Sequence, residues 1–178
     1  LEKVVVCGNP RMDLIKYGLR PTDRSNSIGF ATRFNSICHF DGRPTLYTLT
    51  NSGNLDSVIG QAKSLVTVIR LIKLVLAETN YQVSIRPHPL EAPEYYDRYV
   101  KSINPERISI DEGFDFSLWM SRQGVIVTPT SSSFVESYIL NKPVINIDGL
   151  AGNQDLGRTI NQYSKYTGDA LAYAPTSD

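Results

Sequence analysis

Val125-Ile126-Val127-Thr128-Pro129-Thr130-Ser131-Ser132-Ser133-Phe134-Val135-Glu136 decides how the chain is read. Its first four residues are apolar or β-branched on both faces, as a strand covered on both sides of a sheet must be. Pro129 cannot donate to a ladder and closes the strand. Four hydroxyl residues in a row, Thr130 to Ser133, then lead into a short helix expected over Ser133 to Leu140. The same grammar recurs on either side. Pro143 to Ile147 is a second apolar strand, and Gln82 to Ile85 is another that runs into Arg86-Pro87-His88-Pro89, where two prolines stop it. Shorter strands are expected at Lys3 to Cys7, Ser27 to Thr32 and Ile108 to Ile110.

Helical periodicity fills the intervals. Over Leu55 to Glu78, Val58, Ala62, Leu65, Ile69, Ile72 and Leu76 recur at spacings of three and four, which predicts one apolar stripe along a helix roughly 35 Å long. Lys63, Arg70 and Lys73 fall off that stripe and read as a solvated face. Further helices are expected over Arg11 to Gly18, Glu94 to Ile103, Phe114 to Gln123 and Leu156 to Tyr163, with Trp119 in the core. Phe34 to Gly53 reads as a loop with an extended stretch at Leu46 to Leu49. Both-face apolar strands alternating with helices define an α/β fold, a Rossmann-like doubly wound parallel sheet, with Ile85, Val127 and Ile147 on central strands. The whole chain, residues 1 to 178, is expected to be one such domain.

Such sheets bind ligands beyond the carboxyl ends of their strands, and the polar clusters fall there. Thr130, Ser131, Ser132 and Ser133 gather at a helix start, where N–H donors and partial positive charge favour a phosphate. Ser133 and Glu136 also fit a capping box, which would use both side chains locally. A cap needs one hydroxyl and leaves the others unexplained. His88, held between prolines, is placed to face a cleft, and Arg86 beside it is either a phosphate fork or a surface cation. Gly8 and Arg11, with Thr32, Arg33 and Asn35, are weaker candidates at two other strand ends.

Composition excludes several classes. Eighteen basic against eighteen acidic residues leave no net charge and no global field for nucleic acid, so none is expected as a partner. Two histidines and two isolated cysteines, Cys7 and Cys38, are too few for a zinc centre of several His or Cys ligands, and no metal is expected. Walker, G-x-G-x-x-G, G-x-S-x-G and Asp-x-Asp patterns are missing. No spanning segment and no signal-peptide pattern occur, which together with the cysteine usage leads to the expectation of a cytoplasmic protein.

In order, G-N-P-R-M-D (8 to 13), T-R-F-N (32 to 35), R-P-H-P-L-E (86 to 91), a Trp-bearing helix and T-S-S-S-F-V-E-S-Y-I-L-N-K-P-V-I (130 to 145) resemble the C-terminal nucleotide-binding half of GT-B glycosyltransferases. The resemblance covers Val4 to Asp148. It is closest to bacterial capsule transferases for 3-deoxy-manno-octulosonic acid and to sialyl- and polysialyltransferases, and more distant to CDP-glycerol polymerases. It implies that His88 and Pro89 form a His-Pro motif and that Ser132 and Ser133, or Ser131 in another register, form a serine pair holding a cytidine nucleotide. Glu136 would lie near the ribose. No cofactor is implied beyond a nucleotide-activated sugar as substrate. A GT-B enzyme needs a second half carrying the acceptor and usually the base, and the chain is too short for both. The resemblance therefore implies one domain of a longer protein, whose full-length form would work at the inner face of the membrane. Two other readings stay open: a non-catalytic nucleotide-binding or interaction module, and a half-domain of a UDP-sugar epimerase.

Overall fold

Period-two alternation along the strands sends successive side chains to opposite faces, and both faces are covered. The computed structural model describes residues 9–19, 26–42 and 55–152 and the backbone of 172–173. Chain order is α1 (Pro10–Gly18), β1 (Ser27–Ala31), α2 (Leu55–Glu78), β2 (Gln82–Arg86), α3 (Pro93–Tyr95), β3 (Ile108–Ile110), α4 (Phe116–Ser121), β4 (Val125–Thr128), α5 (Ser133–Ile139), β5 (Val144–Asn146) and β6 (Ala172–Tyr173). After α3 the chain continues as a π turn over Tyr96–Val100 and a 3-10 turn over Lys101–Ile103. Expected elements at residues 3–7, 46–49 and 156–163 lie outside the described residues, as does Gly8.

The sheet runs β3-β2-β1-β4-β5-β6 with every pair parallel. The winding proceeds outward from β1 to β3 in one direction and from β4 onward in the other. Its switch point is therefore the seam between β1 and β4, where Ile28 to Phe30 register with Val125 to Val127. This is the Rossmann-like doubly wound arrangement.

Phe30, Val83, Ile85 and Val127 face α2 and the helical turns after α3, joining Val68, Ile72, Tyr96 and Val100 in one core. Ala31, Ile126 and Val144 face the other way, onto Ile15, Trp119, Met120, Phe134 and Leu140. Ile85 on β2 is fully buried and Val127 on β4 nearly so, whereas Ile147, expected on a strand, is fully buried one residue beyond the end of β5. On that second face Gly29 is required by close approach. A Cβ there would lie 2.7 Å from Cγ of Gln123 and 3.0 Å from the Trp119 ring, whose Nε1 donates to the Ser84 hydroxyl at 2.8 Å.

The buried centre of α2 is Ser64, Val68 and Ile72, not the line through Ala62, Leu65, Ile69 and Leu76. Those residues are half-buried on its flank, and Leu71 and Val75 pack on the other side. A serine is invisible to a count of apolar spacing, yet its small volume lets the helix close onto the sheet. α5 stops at Asn141, whose φ of 51° is the left-handed conformation that terminates helices.

Candidate functional site

A cavity of about 830 Å³ opens at the carboxyl ends of β1, β2 and β4, over the switch point. Its size is that of a small-molecule site rather than of a bound ion. Thr32 forms the floor after β1. Arg86, Pro87, His88 and Pro89 come from the end of β2, Phe114 to Ser117 from the start of α4, and Ser131, Ser132, Ser133 and Glu136 from the β4–α5 junction. Arg11, Leu14, Ile15 and Gly18 of α1, with Leu19 just after it, close one side. Residues from five segments of the chain meet there because parallel strands deliver their carboxyl ends to one edge.

The hydroxyl cluster is arranged differently from a capping box. The helix cap is Ser132, whose own side chain makes no capping bond. The Ser133 N–H donates to Oγ of Ser131 at 3.3 Å, and the N–H groups of Phe134 and Val135 donate to the carbonyls of Ser131 and Ser132 at 3.3 and 3.1 Å. Glu136 does not reach back to the helix start. Its carboxylate takes Arg11 Nη2 at 3.1 Å and the Ser117 hydroxyl at 3.4 Å. Burial pushes the Glu136 carboxyl above its ordinary range, against the opposing pull of Arg11. Meanwhile Oγ of Ser133 is buried with no hydrogen-bond partner among the described residues. Leaving a buried hydroxyl unpaired costs about 1–3 kcal/mol, and this one belongs to a residue that lines the cavity.

His88 is positioned by its loop. Its Nδ1 accepts the Leu90 N–H at 3.2 Å, and its carbonyl accepts the Glu91 N–H at 2.8 Å. With Nδ1 an acceptor the proton sits on Nε2, which remains as the donor. Burial lowers the ring's proton affinity and Arg33 adds to this, while Glu91 opposes it, so the resting ring is neutral.

Arg86 is no surface cation. It is 9% exposed and pairs through Nη1 with Oδ1 of Asp111, an oxygen that also accepts the Gly113 N–H at 3.1 Å. The β2 and β3 strand ends are thereby tied together, a partnership that no local pattern announces. Thr130, Arg33 and Asn35 are not among the residues lining the cavity. Thr130 is held through its N–H and hydroxyl by Asp148, and its carbonyl accepts Arg33 Nη1 at 3.1 Å, a tie between the loops after β1 and β4.

Two features went unread in the sequence. Of the α1 wall only Arg11 stood out in the sequence, within G-N-P-R-M-D; Leu14, Ile15, Gly18 and Leu19, like Phe114, carry no motif. Glu91, 3% exposed, accepts the Phe34 N–H with one oxygen and the Thr32 and Tyr96 hydroxyls, each at 2.6 Å, with the other. Its place in R-P-H-P-L-E was visible, but its three donors come from elsewhere in the chain. Burial, reinforced by this carboxylate, raises the Tyr96 hydroxyl's pKa and pushes the Cys38 thiol up to about 11.

No family model, curated protein or solved structure matches the chain. Among the described residues no helix is long and apolar enough to cross a membrane.

Proposed function

We propose that the chain is the donor-binding domain of a metal-independent GT-B glycosyltransferase of bacterial surface-polysaccharide synthesis, using a cytidine-activated sugar. The observation that supports this most is that Ser131, Ser132 and Ser133 line the cavity at the switch point, where the buried Ser133 hydroxyl lacks a hydrogen-bond partner among the described residues. His88 and the serines belong to the loops after β2 and β4, which flank β1 on either side. A phosphate placed between those loops would receive hydroxyl donors from one and an imidazole N–H from the other. The same donors would stabilise charge developing on the nucleotide as the sugar leaves. Amide donors contribute less than the sequence led one to expect, since the N–H groups of Ser133, Phe134 and Val135 already have partners.

One wall binds but does not catalyse. Near-attack geometry needs the acceptor held across the cleft, so this domain is proposed to bind nucleotide without turnover and to work with a second half of the same protein. Calorimetric titration with CMP, CDP, UMP, UDP and GDP in EDTA tests the reading. Saturable binding with cytidine nucleotides tightest is expected. Absence of binding by all five would leave an interaction module as the better account, and binding only after a divalent cation is restored would remove metal independence.

A further inference from the structure

We infer that Phe114 is the platform on which the base of the bound nucleotide stacks, an inference that rests on the nucleotide reading above. Phe114 is fully exposed, at 106% of its reference area, and lines the cavity. A side chain of that size in water is a standing cost unless something covers it. Its neighbour Phe116 has found a use in the fold, stacked on Trp119 with centroids 5.5 Å apart. Phe114 has not.

The turn that carries it is pinned on both sides. Before it, Asp111 holds the Gly113 N–H at 3.1 Å and is itself held by Arg86. After it, Asp115 accepts the Leu118 N–H at 3.0 Å as the cap of α4. The backbone on either side of Phe114 is therefore held, and Arg86 is a positioning residue acting through Asp111. Charge then orients the ligand. Glu112 and Asp115 lie beside Phe114 in sequence, Asp115 lining the cavity, and disfavour a phosphate there, Asp111 being paired with Arg86, whereas Ser131, Ser132 and Ser133 mark the anion end of the same cavity. An uncharged planar ring suits the acidic end. Stacking of this kind tolerates every base, so Phe114 supplies affinity and leaves base identity to other groups.

The test compares CMP with ribose 5-phosphate on the wild-type chain, Phe114→Ala and Phe114→Trp. CMP affinity should fall roughly fivefold to a hundredfold in Phe114→Ala and recover in Phe114→Trp, with ribose 5-phosphate unaffected. Wild-type CMP affinity in Phe114→Ala, a loss that Trp does not restore, or equal losses for both ligands would each overturn the stacking role while the nucleotide reading stands. Failure of the wild-type chain to bind CMP or any other nucleotide would overturn both together.

Discussion

The Ser131 hydroxyl accepts the N–H of Ser133 at 3.3 Å, while the hydroxyl of Ser133 itself lies buried without a partner. Ser131 thus supplies the side-chain bond at the helix start that a capping box would have asked of Ser133. Ser131→Ala should therefore cost about 0.5–1 kcal/mol of stability, the low end for a lost helix-start bond. Ser133→Ala removes an unsatisfied buried hydroxyl and should leave stability unchanged or raise it by about 1 kcal/mol. If Ser133 serves a phosphate, the same substitution should weaken nucleotide binding about tenfold or more. Melting temperatures and dissociation constants on the two variants decide it, and a destabilised Ser133→Ala would reinstate the cap.

His88 links the site to pH. Its folded ring holds a proton less tightly than the ordinary value of 6.5, chiefly because of burial. The unfolded chain then binds more protons, so the stability contributed by the neutral ring is complete above pH 6.5 and is lost as pH falls below it. Wild-type melting temperature should rise between about pH 5 and 7 more steeply than that of His88→Gln. A bound phosphate would reverse the preference and favour the imidazolium. Nucleotide binding near pH 6 should therefore take up a proton, seen as a calorimetric heat that varies with buffer ionisation enthalpy and vanishes in His88→Gln.

Arg86 and Asp111 form a pair with side-chain exposures of 10% and 30%. Breaking a fully buried pair costs about 3–5 kcal/mol, and partial access of water to Asp111 reduces that here to roughly 2–3 kcal/mol for Arg86→Met. Arg86→Met combined with Asp111→Leu should cost less than Arg86→Met alone, since no charge is left stranded. Urea denaturation of the two variants checks the ordering, and a double variant less stable than Arg86→Met would show that the pair is not the main partner of either residue.

Glu91 is expected to be among the most sensitive positions in the chain. Glu91→Ala strands the Phe34 N–H and the Tyr96 hydroxyl in a dry interior, leaves the Thr32 hydroxyl only its 3.4 Å bond to the Arg86 carbonyl, and should cost roughly 3–5 kcal/mol. Tyr96→Phe removes one donor and should cost about 1–2 kcal/mol. Glu91→Gln takes away the negative charge that helps hold the Cys38 thiol near 11, so in a Cys7→Ser background thiol labelling at pH 8 should become faster. An unchanged labelling rate would assign the inertness of Cys38 to burial alone.

Local residue order determined where the strands end and what covers them. Val125 to Thr128 is apolar or β-branched on both faces and Pro129 stops its ladder, so a strand buried on both sides follows from side-chain alternation there. Gln82 to Ile85, stopped by Pro87, is apolar only through Val83 and Ile85, and its Ser84 is buried because Trp119 donates to it at 2.8 Å. That the polar clusters at His88 and Ser131 to Ser133 share a cavity follows equally from parallel strands ending on one edge. Tertiary structure decided who pairs with whom. Arg86 finds Asp111, Glu136 finds Arg11, and Thr130 turns to Asp148 because the strand order sets which loops are neighbours. The start of α5, where Ser132 is the cap, decides which serine is left without a bond. Periodicity reports only that a side chain is buried; the partner that satisfies its charge or hydroxyl comes from a distant segment, and nothing in the local pattern names that segment.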